Sequence, residues 1–305
     1  MRKPSASNPT RLSDTVNLGA DFRFMLNKKE AGPAASFAVV RNAFYVLAVP
    51  TPELALLYNN NQGATAEMYA LAKLPGDFPA YLRAGRFFIP YGLQLNDPDN
   101  SGLTRISPFA PSVGFSLSPT QSDTGIEFGL APKSEYFFNL SVTNGAANGA
   151  AAASEAKAIA GRWGFVGKTG AMGATFFHHR NSDSAAGQNE IRYGIFGWTR
   201  FGMIVFIGEG GWGTNTANAG SAKTHQTAFH GELNYEMAKD ELLLRGQLDN
   251  LNPDTKKAGD SRTRYILGAE WFLLKYLSLE TQLRIVTETP SVPNNEILAL
   301  THVWF

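Results

Sequence analysis

Polar and apolar side chains take turns along almost the whole chain. In the stretch YLSLETQLRIVTE, residues 276–288, Glu280 and Arg284 share one face while Leu279 and Leu283 share the other, because successive side chains of a strand point to opposite sides. The same alternation runs through residues 16–24, 123–130, 135–143, 229–237, 242–249 and 262–271. Helical periodicity is nowhere comparable. The pattern predicts an all-β chain whose strands have one apolar and one polar face.

The alternating segments divide the chain into about sixteen strands, an even number. Each is close to the roughly 9 to 11 residues with which a tilted strand crosses a bilayer. The predicted strands are residues 15–26, 35–48, 54–60, 64–74, 80–89, 123–131, 134–145, 156–168, 172–182, 190–200, 202–213, 225–238, 240–250, 262–273, 276–287 and 295–305.

The connections between these strands fall into two classes that alternate along the chain. Longer ones are NKKEAGPA, NNQG, residues 90–122, GAANGAAAASEA, DSAAGQN, NTANAGSAKT, NPDTKKAGDS and TPSVPN. Tight ones are PTPE, PGDFPA, PKS, TGA, a turn near Phe201, KD and KY. Long loops at one end and short turns at the other are typical of outer-membrane barrels, with both termini on the short-turn side.

A soluble β-sandwich also alternates polar and apolar residues. It has no reason to lengthen every second connection, however, and a soluble closed barrel of this width would need apolar residues inside. Here the second face carries Arg, Glu, Asp and Gln. We therefore predict a transmembrane antiparallel up-and-down β-barrel over residues 15–305, preceded by a periplasmic N-terminal tail over residues 1–14.

Composition excludes several other classes. Charged residues are 17% of the chain, below the roughly 25% of an ordinary soluble domain. The net charge of +1 argues against a nucleic-acid partner, which favours a basic face. No apolar run reaches the ~18 to 20 residues of a membrane-spanning helix. The opening MRKPSASNPTRLSD lacks an apolar signal-peptide region, so for an exported protein we expect the numbering to begin after cleavage or at a replacement Met1.

Aromatic residues lie near the ends of the predicted strands. Such positions are typical of the aromatic girdles that mark the two membrane interfaces. The aromatic residues expected in these girdles are Phe87, Phe88, Trp198, Trp212, Trp271, Phe272, Tyr276, Trp304 and Phe305.

The C-terminal residues THVWF resemble the terminal signature of bacterial outer-membrane barrels, whose last strand ends in Phe. In that family the ending is read by the barrel-assembly machinery, so the resemblance implies that Phe305 is an assembly signal. It also implies a location in the cell outer membrane, among outer-membrane lipids and lipopolysaccharide.

The stretch YLRAGRFFIPYGLQL resembles a segment of phosphate-selective porin O/P-like proteins, in which a GRF strand leads into a long extracellular loop. TGIEFGL and FNLSVTNG fit the next hairpin of such porins. Uncharacterised relatives with this pattern occur in cytochrome-rich bacteria, where some barrels surround electron-carrying cytochromes. The resemblance thus implies a porin, or alternatively a structural barrel that acts as a sheath or docking partner for a multihaem cytochrome.

The polar face supplies the candidate pore-lining residues. Charges of both signs either orient and filter solutes or only keep the lumen wet by pairing across strands, and the sequence leaves both open. Their near-zero sum predicts weak selectivity. The predicted pore-lining residues are Arg23, Arg83, Glu127, Arg162, Arg192, Glu232, Arg245, Asp249, Arg264, Glu270, Glu280 and Arg284.

Residues 90–122 form the longest predicted connection. Loops of this length are commonly functional or disordered, so we expect this one either to fold into the pore as a constriction or to lie outside as a flap. Asp97, Asp99 and Arg105 are its candidate constriction residues. DPDNSG within it copies the start of a calcium loop, but position twelve is Pro108 instead of the bidentate Glu, so a plain Asx turn is favoured.

Catalytic and cofactor motifs are missing from the sequence. There is no cysteine and no G-x-S-x-G nucleophile motif, and hence no covalent haem site on this chain. We therefore predict a protein that is not an enzyme and holds no metal or cofactor. The favoured function is a water-filled channel for small polar or ionic solutes. A homo-oligomer and a periplasmic or cytochrome partner both remain open.

Overall fold

The computed structural model describes residues 10–11, 13, 15–32, 35–76, 79–93, 122–130, 135–145, 157–181, 188–216, 222–238 and 241–305. Its strands are β1 (Thr10–Arg11), β2 (Val16–Lys29), β3 (Ser36–Thr51), β4 (Leu54–Asn61), β5 (Ala64–Lys73), β6 (Ala80–Phe88), β7 (Ser122–Leu130), β8 (Tyr136–Thr143), β9 (Ala158–Val166), β10 (Gly170–Asn181), β11 (Gln188–Phe201), β12 (Ile204–Thr216), β13 (Thr224–Ala238), β14 (Leu242–Asn252), β15 (Arg262–Leu274), β16 (Leu277–Glu288) and β17 (Glu296–Trp304).

Strands β2 to β17 form a closed barrel of sixteen antiparallel strands. Each pairs with the next along the chain, and β17 closes the ring by pairing with β2, with His302 opposite Arg23. The two-residue β1 adds to the start of β2. Closure leaves no free sheet edge, which is the condition for strands to cross a lipid bilayer. The predicted fold class is therefore confirmed.

The two faces of the wall differ as the alternation predicts. On β2, Phe24 is 50% exposed on the outer face, whereas its neighbour Arg23 is 4% exposed and points inward. On β16, Leu283 lies outside beside Leu267 and Ile297, while Arg284 lies inside. Apolar side chains thus face the surroundings and polar ones face the lumen, the reverse of a soluble protein.

Connections of the two classes lie at opposite ends of the barrel. We call the end at which β2, β6 and β14 end the long-loop end, and the end that carries residues 52–53, 202–203 and 275–276 the short-turn end. The prediction of a longer NNQG loop is wrong, because only Gln62 and Gly63 join β4 to β5 at the long-loop end. Both have positive φ, 52° and 80°, as a tight hairpin turn requires.

The predicted aromatic girdles are partly wrong. Trp212, Trp271 and Phe305 are exposed, as a girdle requires. Four others occupy strand positions whose side chains point into the lumen: Phe87, Trp198, Phe272 and Trp304. The reason is the strand period itself, since adjacent residues such as Phe87 and Phe88 cannot both face outward.

The last residue is bound into the barrel wall. The main-chain N of Ala20 donates to Phe305 O at 3.0 Å, and Phe305 N donates to Ala20 O at 3.1 Å. Trp304 turns inward and stacks on His302, with ring centroids 4.4 Å apart. Within the described ranges, no helix is long and apolar enough to cross a membrane.

Candidate functional site

The lumen of the barrel collects the polar side chains that the alternation places on one face. Cross-strand registers put all the predicted pore-lining residues on this inner face: Arg23, Arg83, Glu127, Arg162, Arg192, Glu232, Arg245, Asp249, Arg264, Glu270, Glu280 and Arg284. Most of them contact one another through ion pairs between neighbouring strands. The inner wall therefore consists of local charge clusters.

One cluster lies near the short-turn end, where the first and last barrel strands meet. The Asp21 carboxylate is 2.9 Å from Arg23 Nε and 3.1 Å from Arg41 Nε. On its other side, His302 Nε2 lies 3.1 Å from Asp21 Oδ1. Arg41 also donates to the hydroxyl of Tyr45. The cluster joins β2, β3 and β17 and so connects the two ends of the chain inside the wall.

Arg245 on β14 is the centre of a second cluster. Its Nη1 lies 2.7 Å from Glu280 Oε1, and its guanidinium lies 3.7 Å from both Glu232 and Glu270. Glu270 also accepts a hydrogen bond from Ser278 Oγ at 2.9 Å. A single cation thus offsets three carboxylates on strands β13, β15 and β16.

Asp249 organises a third cluster nearer the long-loop end. Its Oδ2 is 3.0 Å from Arg264 Nη2 and accepts a hydrogen bond from Gln247 Nε2 at 2.9 Å. Its Oδ1 lies 2.8 Å from His230 Nδ1. Both carboxylate oxygens therefore have partners, which offsets the cost of removing the charge from bulk water.

Two pairs of opposite charge continue this pattern elsewhere on the wall. Arg284 Nη1 lies 2.5 Å from Glu296 Oε1, and Arg192 Nη2 lies 3.2 Å from Glu190 Oε2. The Arg192 guanidinium also lies over the ring of Phe177, 4.5 Å from its centroid. Cations and carboxylates are thus adjacent around the wall rather than separated onto opposite sides.

A further network covers the wall from β6 to β9. Arg83 Nη2 lies 2.5 Å from Glu127 Oε2, and Tyr81 Oη donates to Glu127 Oε1 at 2.8 Å. Asn139 Nδ2 donates to Tyr81 Oη at 2.7 Å, while Arg162 Nε donates to Asn139 Oδ1 at 2.8 Å. These bonds fix the Arg162 guanidinium so that its remaining N–H groups reach into the lumen.

The residues that follow β6 turn into this lumen. Arg162 Nη1 donates to Gly92 O at 3.3 Å, and Gly92 N donates to Thr175 Oγ1 at 3.3 Å. Leu93 N donates to Glu209 Oε2 at 3.4 Å. These wall partners belong to β9, β10 and β12, so the chain leaves β6 and crosses the inside of the barrel to reach them.

Apolar packing fixes the same residues, which we call the inward segment, residues 89–93. Ile89 and Tyr91 are 1% and 3% exposed and pack with Ala158, Ala160 and Phe177 of the inner wall. Their burial removes apolar surface from water at a place where the wall is locally apolar. The candidate constriction residues Asp97, Asp99 and Arg105 lie outside the described residues.

Several residues of this arrangement were missed in the sequence. Thr175, Gly92 and His302 carry no distinguishing motif, because a hydrogen bond between a loop backbone and a distant strand leaves no local pattern. The alternation along its strand predicts that the Glu209 side chain points inward, but it does not predict the contact of Glu209 with Leu93. In the described part of the chain, no group of three His, Asp or Glu could hold a metal ion.

Comparisons with known proteins agree with the barrel geometry. No protein-family model and no curated protein match the chain. Among solved structures, OmpT of Vibrio cholerae is similar with a TM-score of 0.70 at 11% identity, covering 96% of this chain and 99% of that one. An anion-selective porin from Comamonas acidovorans has a TM-score of 0.69 at 9% identity, and the match covers 95% of this chain and 99% of that one.

A third similar structure is OmpF of Salmonella typhi in complex with daunomycin. It has a TM-score of 0.66 at 10% identity and covers 95% of this chain and 97% of that one. At such identities the likeness concerns the fold. The chain therefore folds as a closed sixteen-strand barrel of the bacterial outer-membrane porin type.

Proposed function

We propose that this protein is a passive, weakly selective channel of the bacterial outer membrane for small polar and ionic solutes. The observation that carries the proposal is the closed ring of sixteen strands with a polar inner face and an apolar outer face. Barrels of about 16 to 18 strands are wide enough to leave an aqueous passage. A wall lined with Arg, Asp, Glu, Asn and Gln keeps such a passage hydrated.

Weak selectivity follows from the way the wall charges are arranged. In three ion pairs of the wall the N–O distance is 3.0 Å or less: Arg83 with Glu127, Arg264 with Asp249 and Arg284 with Glu296. A paired charge exerts a field that falls off within a short distance, so the potential along the passage stays small. Ions of either sign, and neutral solutes, then cross at comparable rates.

The inward segment supports a constriction within the passage. Its contacts with Arg162, Thr175 and Glu209 hold the start of the connection between β6 and β7 inside the barrel. We propose that the following residues narrow the lumen and that Asp97, Asp99 and Arg105 are exposed to passing solutes. Charges in a narrow passage with low-dielectric walls act more strongly than charges on an open wall.

The orientation in the membrane follows from the two ends of the barrel. Outer-membrane barrels place short turns in the periplasm and long loops outside the cell. We place the long-loop end of this barrel outside and both termini in the periplasm. We propose that Phe305, which is exposed directly after the last strand, is the assembly signal for the barrel-assembly machinery.

Solute flux into proteoliposomes tests the proposed function. Liposomes that contain the folded protein should swell in iso-osmotic solutions of small neutral sugars, and the rate should fall as the sugar becomes larger. Liposomes with heat-denatured protein are the control. If folded protein gives no swelling with any solute, the lumen is closed, and a structural barrel with a periplasmic cytochrome partner becomes the better hypothesis.

A further inference from the structure

Three oxygen-bearing side chains lie together on the inner wall, where β4 and β5 reach the long-loop end. Asn59 and Asn61 of β4 are opposite Tyr45 and Ala43, two inward-facing residues of β3. Both asparagines therefore point into the lumen. Glu67 of β5 is directly opposite Asn59. We call Asn59, Asn61 and Glu67 the Glu67 site.

Two amide oxygens of this site lack a hydrogen-bond donor. In the described part of the chain, the Oδ1 atoms of Asn59 and Asn61 are enclosed and accept no hydrogen bond, and Asn59 is only 4% exposed. Asn59 Nδ2 donates a long hydrogen bond to Glu67 Oε2, at 3.4 Å, so the amide lies beside the carboxylate. A buried acceptor without a donor costs free energy. A positive ion among these oxygens removes that cost.

The Glu67 carboxylate also lacks a cation. Arg83 and Arg41 act on it electrostatically, but they form ion pairs with other carboxylates, those of Glu127 and Asp21. Among the described residues, Glu67 itself forms no ion pair. It is partly buried, and a buried carboxylate is stable only when it is paired, hydrogen-bonded or bound to a metal.

A β-bulge distorts the wall at this point. The register between β4 and β5 shifts by one residue between Asn59 and Asn60, so Ala66 has no opposite residue on β4. Bulges redirect side chains and are common beside functional sites. Glu67 also accepts a main-chain hydrogen bond from Phe88, the last residue of β6. The site therefore connects β4 and β5 to the residue that precedes the inward segment.

The donor atoms of the site favour Ca²⁺ over other metal ions. Ca²⁺ accepts carboxylate and amide oxygens at about 2.3 to 2.6 Å in a flexible geometry, and water completes its roughly six to eight ligands. Mg²⁺ demands a near-ideal octahedron and gives up its waters reluctantly. Zn²⁺ favours nitrogen and sulfur ligands, which this site does not offer. A single carboxylate implies weak binding, on the order of millimolar.

We propose that the Glu67 site binds Ca²⁺, with Glu67 as the charged ligand and Asn59 and Asn61 as neutral ligands. Asn59 turns its amide oxygen toward the ion and gives up its long hydrogen bond to Glu67. Bound Ca²⁺ neutralises the carboxylate and fastens the β4–β5 hairpin next to the start of the inward segment. The local sequence NNNQG matches no calcium loop, so no motif indicates the site.

Tb³⁺ luminescence tests the site in protein refolded from denaturant into lipid-free detergent micelles. Tb³⁺ takes oxygen ligands as Ca²⁺ does, and it emits when an excited tyrosine lies nearby. Tyr69 is two residues from Glu67 on the same inner face. We expect tyrosine-sensitised emission that millimolar Ca²⁺ removes, while Mg²⁺ should be at least about five-fold less effective.

Three variants make the test specific. E67Q should weaken Ca²⁺ binding at least about ten-fold, because the only charged ligand is lost, and N59D should strengthen it about ten-fold, because affinity rises with the number of charged ligands. A gain of affinity cannot come from misfolding. E288Q is the matched control: Glu288 is also an inward carboxylate near the long-loop end, but it pairs with Arg262 at 3.5 Å. Its affinity should stay within about two-fold of the wild type.

Three outcomes would overturn the proposal. Equal emission from E67Q and wild type would place the bound ion elsewhere. Equal loss in E67Q and E288Q would mean that only the overall charge of the lumen attracts the ion. Binding by N59D no tighter than by wild type would show that Asn59 is not a ligand and that water meets its enclosed oxygen. These measurements need no current through the lumen, so their result is separate from that of the swelling assay.

Discussion

Arg162 on β9 donates a hydrogen bond from Nη1 to the main-chain oxygen of Gly92 at 3.3 Å. Gly92 follows β6, so the bond joins the inner wall to a part of the chain that leaves the barrel three strands away. Together with the burial of Ile89 and Tyr91, it places the start of the longest connection inside the lumen. We therefore expect the lumen, rather than either rim, to be the place where this barrel controls passage.

Substitution of Gly92 tests the attachment of the inward segment. Gly92 has a φ of 61°, and a Cβ there would collide with the carboxylate of Glu209, which accepts the bond from Leu93 N. We expect Gly92→Ala to displace the segment and to raise both the conductance and the current noise of single channels. Gly202→Ala is the matched control, because its φ is 58° but a Cβ there meets nothing within 4 Å.

Both substitutions carry the same backbone cost of about 1 to 2 kcal/mol for a non-glycine residue at positive φ. A difference in conductance between them therefore reports a change in the inward segment rather than a general loss of stability. Equal conductance of Gly92→Ala, Gly202→Ala and wild type would mean that the inward segment does not limit the current.

Deletion of residues 96–106 tests the proposed constriction. Surface loops contribute little to strand pairing, so the barrel should fold and insert normally without these residues. If these residues form the proposed constriction, single-channel conductance should rise when they are removed. A correctly inserted deletion variant with unchanged conductance would place the loop outside the pore and assign the constriction to wall side chains.

Substitution of an outward leucine tests the lipid-facing side. Leu283 lies on the outer face between Leu267 and Ile297, so Leu283→Arg should lower the free energy of unfolding in lipid by roughly 2 to 4 kcal/mol if the site is near the midplane. Leu283→Met, which conserves volume and polarity, should change it by less than about 1.5 kcal/mol. Equal stability of the two variants in a denaturant titration would contradict the assigned face.

Removal of one wall cation tests how charge pairing controls selectivity. Arg245→Gln leaves Glu232, Glu270 and Glu280 without their shared cation. The K⁺ to Cl⁻ permeability ratio should rise roughly three-fold to seven-fold, since a change of about 0.5 to 1 kT in the local potential acts oppositely on the two ions. The ratio follows from the reversal potential in a salt gradient.

Arg200→Gln provides the matched control for this substitution. It removes the same charge, but among the described residues Arg200 forms an ion pair only with Glu236, at 2.6 Å, and it is 35% exposed near the short-turn end. Solvent and salt screen a charge there more strongly. A ratio that rises equally in both variants would argue against a special role for the Arg245 cluster.

Strand period and loop asymmetry made most of this fold predictable. The alternation in residues 276–288 predicts that Glu280 and Arg284 lie inside and Leu283 outside, and the register of β16 agrees. It could not predict which inner charges pair, because Asp21 and His302 lie at opposite ends of the chain and meet only when the barrel closes.

The errors have physical reasons of their own. The aromatic girdles were predicted from position along the strand alone. The alternation of inward and outward side chains was not taken into account, so Phe87 and Trp304 were assigned to the wrong face. Trp304 stacks on His302 in the lumen, and Phe87 lies under the Arg83 guanidinium at 4.3 Å. The inward course of residues 89–93 depends on contacts with β9, β10 and β12, which no local pattern in FIPYG encodes.

Current through a planar lipid bilayer that contains the purified wild-type protein tests the central claim most directly. The account predicts discrete open-channel steps, a linear dependence of current on voltage, and a reversal potential close to zero in a KCl gradient because the wall charges are paired. Insertion of folded barrel must be verified in the same preparation by its resistance to denaturation without heating. A bilayer that stays sealed although folded protein has inserted would contradict the account and would make a structural role in a membrane complex the better explanation.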